Sequence, residues 1–334
     1  MKAFVLTSYG TPDRLTLTDV AQPVPGAGEV LVRVRATSVN PYDWHSISGQ
    51  PYVARLIPGG PGLRGPRIRV PGCDMAGDVV AVGQGATSFR PGDEVFGLLS
   101  DGGFGEYVSV RADLLARKPA NLSYEQAAAV PMAGVTALLG VRDVGGLVRG
   151  QRVLVNGGSG GVGTFAVQIA RALGGTVTAV CGAHNAALVK SLGADSVVDY
   201  RAEDFTRQGA RYDLVLDIAG GHGAAALRRA LTRDGTIVVV GGPAGRWVQP
   251  AAHVLAALAV GPLISARVRL ADAVGCAHKK ECLAALTGLI ESGAVTPVID
   301  RGYRFEEMPA AVRYQMAGHA PGKVVVTVPG GRAA

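Results

Sequence analysis

Cysteine is scarce in this chain. Its 334 residues hold four, Cys73, Cys181, Cys276 and Cys282, with no pair in C-x-x-C spacing. That excludes a disulfide framework and a cysteine-built zinc cluster, and it suits a reducing compartment, read here as the cytoplasm. Charge is sparse as well, at 18% of residues. The formal net charge is +7, yet no basic run has the density of a nucleic-acid arm and no aromatic residues interleave with one. A nucleic-acid partner is not expected. Long apolar runs are missing too. Val254–Ile264 is strongly apolar, but it is too short to cross a bilayer and is broken at Gly261–Pro262, so it reads as a core helix or interface segment. The N-terminus opens on a strand pattern, Lys2–Leu6, without the apolar core and cleavage site of a secretory leader.

What the chain has in quantity is glycine, 48 residues, and one group of them carries chemistry. Gly158, Gly160 and Gly163 have G-x-G-x-x-G spacing in the run Asn156-Gly-Gly-Ser-Gly-Gly-Val-Gly163. Such spacing turns the chain sharply, brings backbone close to a pyrophosphate and packs the next helix on its strand. Context supports it. Arg152–Val155 upstream is apolar and β-branched, and Phe165, Ala166, Ile169, Ala170 and Leu173 downstream recur at helical spacing. Gly158, Ser159, Gly160, Gly161, Val162 and Gly163 are therefore expected to hold a dinucleotide.

The loop after the second strand of this unit, Cys181-Gly-Ala-His-Asn185, stands where an Asp or Glu would hold the ribose hydroxyls of NAD, and it contains neither. Small residues with His184, Asn185 and Lys190 nearby could tolerate or bind a 2′-phosphate, so NADPH is the expected cofactor; His184 either serves this or is a solvated loop residue. Asp217, before Ala219-Gly220-Gly221, reads as a turn cap or a residue lining the cofactor cleft.

The texture of the chain changes along its length. From Glu29 to about Leu115, short apolar stretches such as Leu31–Ala36, Val79–Val82, Glu94–Leu98 and Glu106–Val110 alternate with Gly, Pro and Asp, a mostly antiparallel β pattern. Beyond about Leu122, alanine-rich helices alternate with strands at Val153–Val155, Val177–Val180, Leu214–Asp217 and Thr236–Val240, the mark of βαβ units and a parallel sheet. A terminal strand from Lys323 could return to the first domain. Residues 1–122 and 273–334 are thus assigned to a β-rich substrate domain and 123–272 to a cofactor domain, an α/β protein overall.

Six segments in order, Val39-Asn-Pro-Tyr-Asp43, Pro71-Gly-Cys-Asp-Met-Ala-Gly77, Arg90-Pro-Gly-Asp-Glu-Val95, Ala129-Val-Pro131 with Thr136-Ala137, the glycine turn, and Leu192-Gly-Ala-Asp195 through Asp199-Tyr200, resemble the medium-chain dehydrogenase/reductase superfamily, in its zinc-free quinone-oxidoreductase-like branch. The resemblance implies a GroES-like substrate domain interrupted by a Rossmann domain with a doubly wound parallel sheet, an active site in the cleft between them, and a homodimer. It also implies cofactor contacts at Thr136 and Tyr200, which otherwise read as helix and strand packing residues; Cys181 and Gly241 are expected to line the same site. Zinc-dependent members carry Cys where this chain has Asn40 and Gly-His-Glu where it has Gly72-Cys73-Asp74; one thiolate and one carboxylate cannot close a three-ligand site of ordinary composition, so no metal is expected. Cys73 then reads as a small buried residue, and His45 as a loop or core histidine.

The chemistry left is hydride transfer from NADPH to a small molecule with an activated C=C bond, an enone, quinone or enoyl ester, whose enolate is stabilised by neutral hydrogen-bond donors. Asn40, Tyr42 and Tyr52 are the candidate catalytic residues, on a segment resembling the family's substrate-contacting loop. Asn40 is expected to orient the substrate carbonyl or the nicotinamide ribose. Each tyrosine is either a proton donor or a pocket wall, and the spacing Gly49-Gln-Pro-Tyr52 is one residue longer than the Gly-x-Tyr of related enoyl-thioester reductases. Lys323 either reaches the cofactor cleft or is solvated. Three other readings stand beside this one: a carbonyl reductase or alcohol dehydrogenase using the same cofactor, a reductive cyclase in which hydride addition triggers ring closure, and an NADPH-binding regulatory protein.

Overall fold

The computed structural model describes residues 1–56, 62–242, 245–261 and 266–329. The end of the apolar run at Val254–Ile264 and part of the 52–69 loop lie outside them. Fifteen strands are described: β1 (Lys2–Leu6), β2 (Leu15–Asp19), β3 (Glu29–Val39), β4 (Asp74–Val82), β5 (Glu94–Leu98), β6 (Tyr107–Arg111), β7 (Leu115–Arg117), β8 (Arg152–Asn156), β9 (Thr176–Cys181), β10 (Ser196–Asp199), β11 (Tyr212–Asp217), β12 (Leu231–Val239), β13 (Arg267–Leu270), β14 (Ile299–Arg304) and β15 (Lys323–Thr327). The helices described are α1 (Pro41–Ser48), α2 (Tyr124–Ala128), α3 (Pro131–Leu138), α4 (Gly161–Ala172), α5 (Ala186–Ser191), α6 (Ala224–Arg229), α7 (Ala251–Val260), α8 (Lys279–Glu291) and α9 (Met308–Met316).

The chain divides into two compact units, one formed by 1–132, 277–291 and 297–334, the other by 133–276 and 292–296. The first boundary falls later than residue 122, because α2 packs on β3 and β4 and so stays with the β-rich unit. In that unit a sheet runs β14-β15-β3-β4-β5-β7, with β6 also on β3, and β1 pairs with β2 beside it. Among the described residues of this unit, only the β14–β15 pair is parallel. The returning strand β15 lies against β3 in the register Val324↔Val39, and β3 against β4 with Ser38↔Asp74. Those two registers set the ends of three strands side by side. Phe4, Val32, Val34, Met75, Val95, Phe104, Phe305 and Val326 build the core beneath them.

The second unit is a six-stranded sheet in the order β10-β9-β8-β11-β12-β13, parallel throughout. Counted from β8 this is 3-2-1-4-5-6, the doubly wound order of dinucleotide-binding folds, whose ligand crevice opens at the carboxyl ends of the strands where the order reverses. The reversal lies between β8 and β11. Val153, Leu154 and Val155 of β8 and Leu214, Val215 and Leu216 of β11 are all buried, as strands covered on both faces must be. The fold class is the one expected: a GroES-like β-rich domain with a parallel α/β cofactor domain.

Candidate functional site

The glycine turn joins β8 to α4. Gly157 has a φ of +90°, a left-handed conformation that favours glycine. A Cβ at Gly163 would collide with the Gly157 carbonyl, so the first turn of α4 rides directly on the turn before it. Gly160 is the N-cap of α4, leaving that helix's first amides to face an anion. Next to the turn, Asn185 Nδ2 donates to Ser159 Oγ at 3.0 Å. A Cβ at Gly182 would stand 2.9 Å from the exposed His184 ring and 3.7 Å from the ring of Tyr200, which is 53% exposed. Arg201 adds a guanidinium 5.7 Å from the Tyr200 ring centroid. Gly241, after β12, packs against the Ile218 carbonyl, which a Cβ there would meet at 2.9 Å. Cys181 closes β9 and is buried, a wall rather than a reactive thiol; burial and Asp199 raise its pKa. Thr136 is buried in α3, and Lys190 is exposed on α5. Among the expected cofactor residues, Asn185 contacts the turn, and His184 and Tyr200 approach one another around Gly182.

The β-rich unit holds a second polar centre where β3, β4 and β15 end. Asp74, fully buried, accepts from Ser38 Oγ (2.6 Å), Asn40 Nδ2 (2.9 Å), Lys323 Nζ (3.3 Å) and, on its other oxygen, the Met132 amide at the start of α3 (2.8 Å). Lys323 Nζ also donates to Asn40 Oδ1. The Asn40 and Cys73 amides both donate to Asp43, at 2.8 and 3.1 Å, and the Cys73 thiol lies 3.3 Å from Asn40 Nδ2. One ammonium therefore faces two buried carboxylates. Desolvation, then repulsion from Asp74, pushes Asp43 up to about 7. Burial and the two carboxylates push the Cys73 thiol well above its ordinary value.

Three sequence expectations change here. Lys323 is not solvated: it is 3% exposed and ion-paired with Asp74, because β15 enters the sheet beside Val39 and delivers the first side chain of the strand into the cluster. Asn40 and Tyr42 are not on a loop. Asn40 caps α1, followed by Pro41 at the first position and Asp43 at the third, residue types that start helices. At 2% exposure, with both ends of its amide engaged, Asn40 is a member of the cluster and would have to give up a partner to reach a substrate carbonyl. Asp43 and Asp74 join the candidate site only in the structure; the Asn-Pro-x-Asp helix start is the sequence signal for Asp43.

Tyr42 is half-buried in the first turn of α1, and desolvation with the nearby Cys73, Asp43 and Asp101 pushes its hydroxyl up to about 12. Tyr52 lies on a short helical turn after α1, its ring 4.8 Å from the Arg55 guanidinium, which also sits 4.1 Å from the Tyr9 ring and donates to the Gly49 and Ser48 carbonyls. His45 is on α1 as well, stacked on Trp44 with its Nδ1 2.8 Å from the Gln50 carbonyl.

With both polar centres located, comparison with known proteins places the chain. Residues 26–120 match the family model described as the alcohol dehydrogenase GroES-like domain, and residues 192–326 the one described as zinc-binding dehydrogenase. The chloroplast envelope quinone oxidoreductase homolog of Arabidopsis thaliana is 32% identical over 98% of both chains. The chain belongs to the medium-chain dehydrogenase/reductase superfamily. Within this superfamily of oxidoreductases it falls in the quinone-oxidoreductase-like branch. It is also similar to the 2-methylene-furan-3-one reductase of Solanum lycopersicum, at 34% identity over 98% of this chain and 79% of that one. Among solved structures, a mycobacterial protein complexed with NADPH matches at 30% identity and a TM-score of 0.81, covering 98% of this chain and all of the other. No helix among the described residues is long and apolar enough to cross a membrane.

Proposed function

We propose that this superfamily member is a reductase that uses NADPH, without zinc, to reduce an activated C=C bond in a small molecule. NADPH, when bound, supplies the hydride. The observation that carries the metal-free part is the buried ammonium of Lys323, paired with Asp74 and Asn40. In zinc-dependent relatives ligands stand at the positions of Asn40 and Gly72-Cys73-Asp74; here a cation of the protein's own is built among them. A carboxamide is a poor zinc ligand, and Asp74 is already engaged by Ser38, Asn40 and Lys323. The donor set does not fit zinc.

For the dinucleotide the residues do fit. The close approach of Gly163 to Gly157, the free amides of α4 and the Ser159–Asn185 contact form a cradle for a pyrophosphate. The loop after β9 carries no carboxylate of its own, Asp199 standing opposite Cys181 on β10, and His184, Tyr200 and Arg201 lie beside it. The NADPH complex of the mycobacterial structure supports the same cofactor. The name of the tomato relative, a reductase of a methylene-furanone, supports a conjugated C=C acceptor. Tyr42, its hydroxyl held neutral, can donate a hydrogen bond to a developing enolate without ionising.

A homodimer is supported by the outer edge of β13, which pairs with no further strand among the described residues, with Leu255, Leu258 and Leu270 exposed nearby. The four free cysteines suit a reducing compartment. The test is NADPH and NADH oxidation by the purified chain against enones, quinones and unconjugated ketones, with product structures determined by NMR. Reduction of enones or quinones with NADPH preferred is expected; turnover of ketones alone, or of no C=C acceptor, overturns the reading.

A further inference from the structure

One buried titratable pair has no part in this chemistry. Asp217 ends β11 with its side chain fully buried. Its Oδ1 accepts from Asn156 Nδ2 at 2.7 Å and from the Gly220 amide at 3.2 Å, and its Oδ2 from His253 Nε2 at 3.0 Å. Turn capping at Asp217 is thus half of its work. Asn156, which also donates to the Gly220 carbonyl at 2.9 Å, is the last residue of β8, so the Asn156–Asp217 bond spans β8 and β11 where the strand order reverses.

The residue after Asn156 is Gly157, the start of the glycine turn. The Ile218 and Ala219 amides donate to the Asn156 carbonyl at 3.1 and 3.3 Å, and a Cβ on Gly157 would stand 3.2 Å from Ala219 Cβ. Residues 217–220 are therefore the back wall of the turn. His253 comes to this wall from α7. Its amide donates to Gln249 Oε1 at 3.1 Å, its ring packs on Gly242, and its side chain is 12% exposed. A buried carboxylate is tolerated only when donors compensate it, and the Nε2–H of His253 is the donor on Oδ2.

We propose that His253 is a positioning residue for the dinucleotide: through Asp217 and Asn156 it holds the glycine turn in the shape that receives the pyrophosphate. The proposal rests on the reading of that turn as the cofactor site. Without the Nε2–H, Asp217 loses the partner on one oxygen and turns toward water, Asn156 loses its fixed orientation, and the turn must be ordered when the cofactor binds, which weakens affinity. The hydride step itself is untouched.

Two variants separate the hydrogen bond from the ring. His253→Phe keeps a ring against Gly242 without a donor; His253→Gln keeps an N–H donor without the ring. NADPH is titrated against the full chain by its fluorescence, KM for NADPH and kcat are measured with a simple enone, and melting temperatures are recorded. His253→Phe should raise Kd and KM for NADPH about tenfold with kcat at saturating cofactor within about twofold, and His253→Gln should return to within about threefold of the parent. The proposal is overturned if His253→Phe binds NADPH as the parent does, if kcat falls while Kd holds, or if folded His253→Gln is as weak as His253→Phe. Should His253→Phe fail to fold, His253→Ala takes its place with the same expected and overturning results. A parent chain that binds neither NADPH nor NADH overturns the cofactor reading itself, an outcome distinct from all of these.

Discussion

Replacing Lys323 with methionine removes the one ammonium from a cluster that keeps two buried carboxylates. Breaking a buried ion pair by removing one partner costs about 3–5 kcal/mol. Asp74 retains donors from Ser38, Asn40 and the Met132 amide, which places the loss near the lower end, about 3 kcal/mol at pH 6. The loss should grow with pH. Asp43 has a pKa raised to about 7 in the folded protein against 3.8 as the ordinary value, so folding favours its protonated form. Its contribution to stability is full below about pH 4 and is lost as pH rises through about 7. The Lys323 charge lowers that pKa, so Lys323→Met raises it further and holds Asp43 protonated at higher pH. Each unit of added shift is worth about 1.4 kcal/mol once the parent's Asp43 has ionised, so at pH 8 the loss reaches about 4 kcal/mol. Urea unfolding followed by fluorescence reads this directly, because Trp44 lies on α1 within the β-rich unit while Trp247 is 71% exposed. A loss below about 1 kcal/mol at pH 8 would refute the compensating role of Lys323. Equal losses at pH 6 and pH 8 would refute its coupling to Asp43. The double variant Lys323→Met/Asp74→Asn, which removes the stranded charge, should recover at least half of the loss.

Gly163→Ala should abolish NADPH binding while leaving the β-rich unit folded, since its Cβ collides with the Gly157 carbonyl; cofactor fluorescence and Trp44 emission measure the two separately. Tyr42→Phe should lower kcat/KM on an enone at least about tenfold, measured by NADPH absorbance, and unchanged turnover would leave Tyr42 as a pocket wall. Because the Tyr42 hydroxyl is pushed up to about 12, its contribution should show no inflection between pH 6 and pH 9 in the kcat/KM profile. Tyr52→Phe retaining full turnover removes Tyr52 from the mechanism, a result its packing beside Arg55 favours. Leu255→Asp on α7 should shift a dimer toward monomer in light scattering without changing the melting temperature by more than a few degrees.

The cofactor unit was legible because its signals are local. The β-branched strand, the glycine turn and the amphipathic helix are contiguous, and β8 and α4 form within a residue or two of where the sequence puts them. The polar cluster was half legible for the opposite reason. Asn40 and Asp74 belong to recognisable segments, but Lys323 lies 249 residues beyond Asp74, and only the pairing of β15 with β3 brings them together. A lysine at the head of an apolar strand looks solvated until its neighbours are known. His253 was invisible on the same grounds: nothing around it in the chain signals Asp217, and the link forms because α7 brings the His253 ring to Asp217 at the end of β11 and against Gly242.

The two hidden contacts share a physical logic that bears on the proposed metal-free reading of this superfamily member. Each buried aspartate, Asp74 and Asp217, is a hub that joins strand ends to the backbone start of a functional element: Asp74 binds the Met132 amide of α3, and Asp217 backs the turn that leads into α4. Each hub is compensated by one side chain from far along the sequence, Lys323 in one unit and His253 in the other. A metal ion at the first position would organise its surroundings by coordination, with strict demands on ligand type and distance. An ammonium paired with one carboxylate and capped by a carboxamide organises them by hydrogen bonds, and it makes no open coordination position. Under the proposed function, a substrate at such a centre is polarised by hydrogen-bond donors rather than by a metal, which suits an acceptor whose negative charge is spread over a conjugated system better than one whose charge is confined to a single alkoxide.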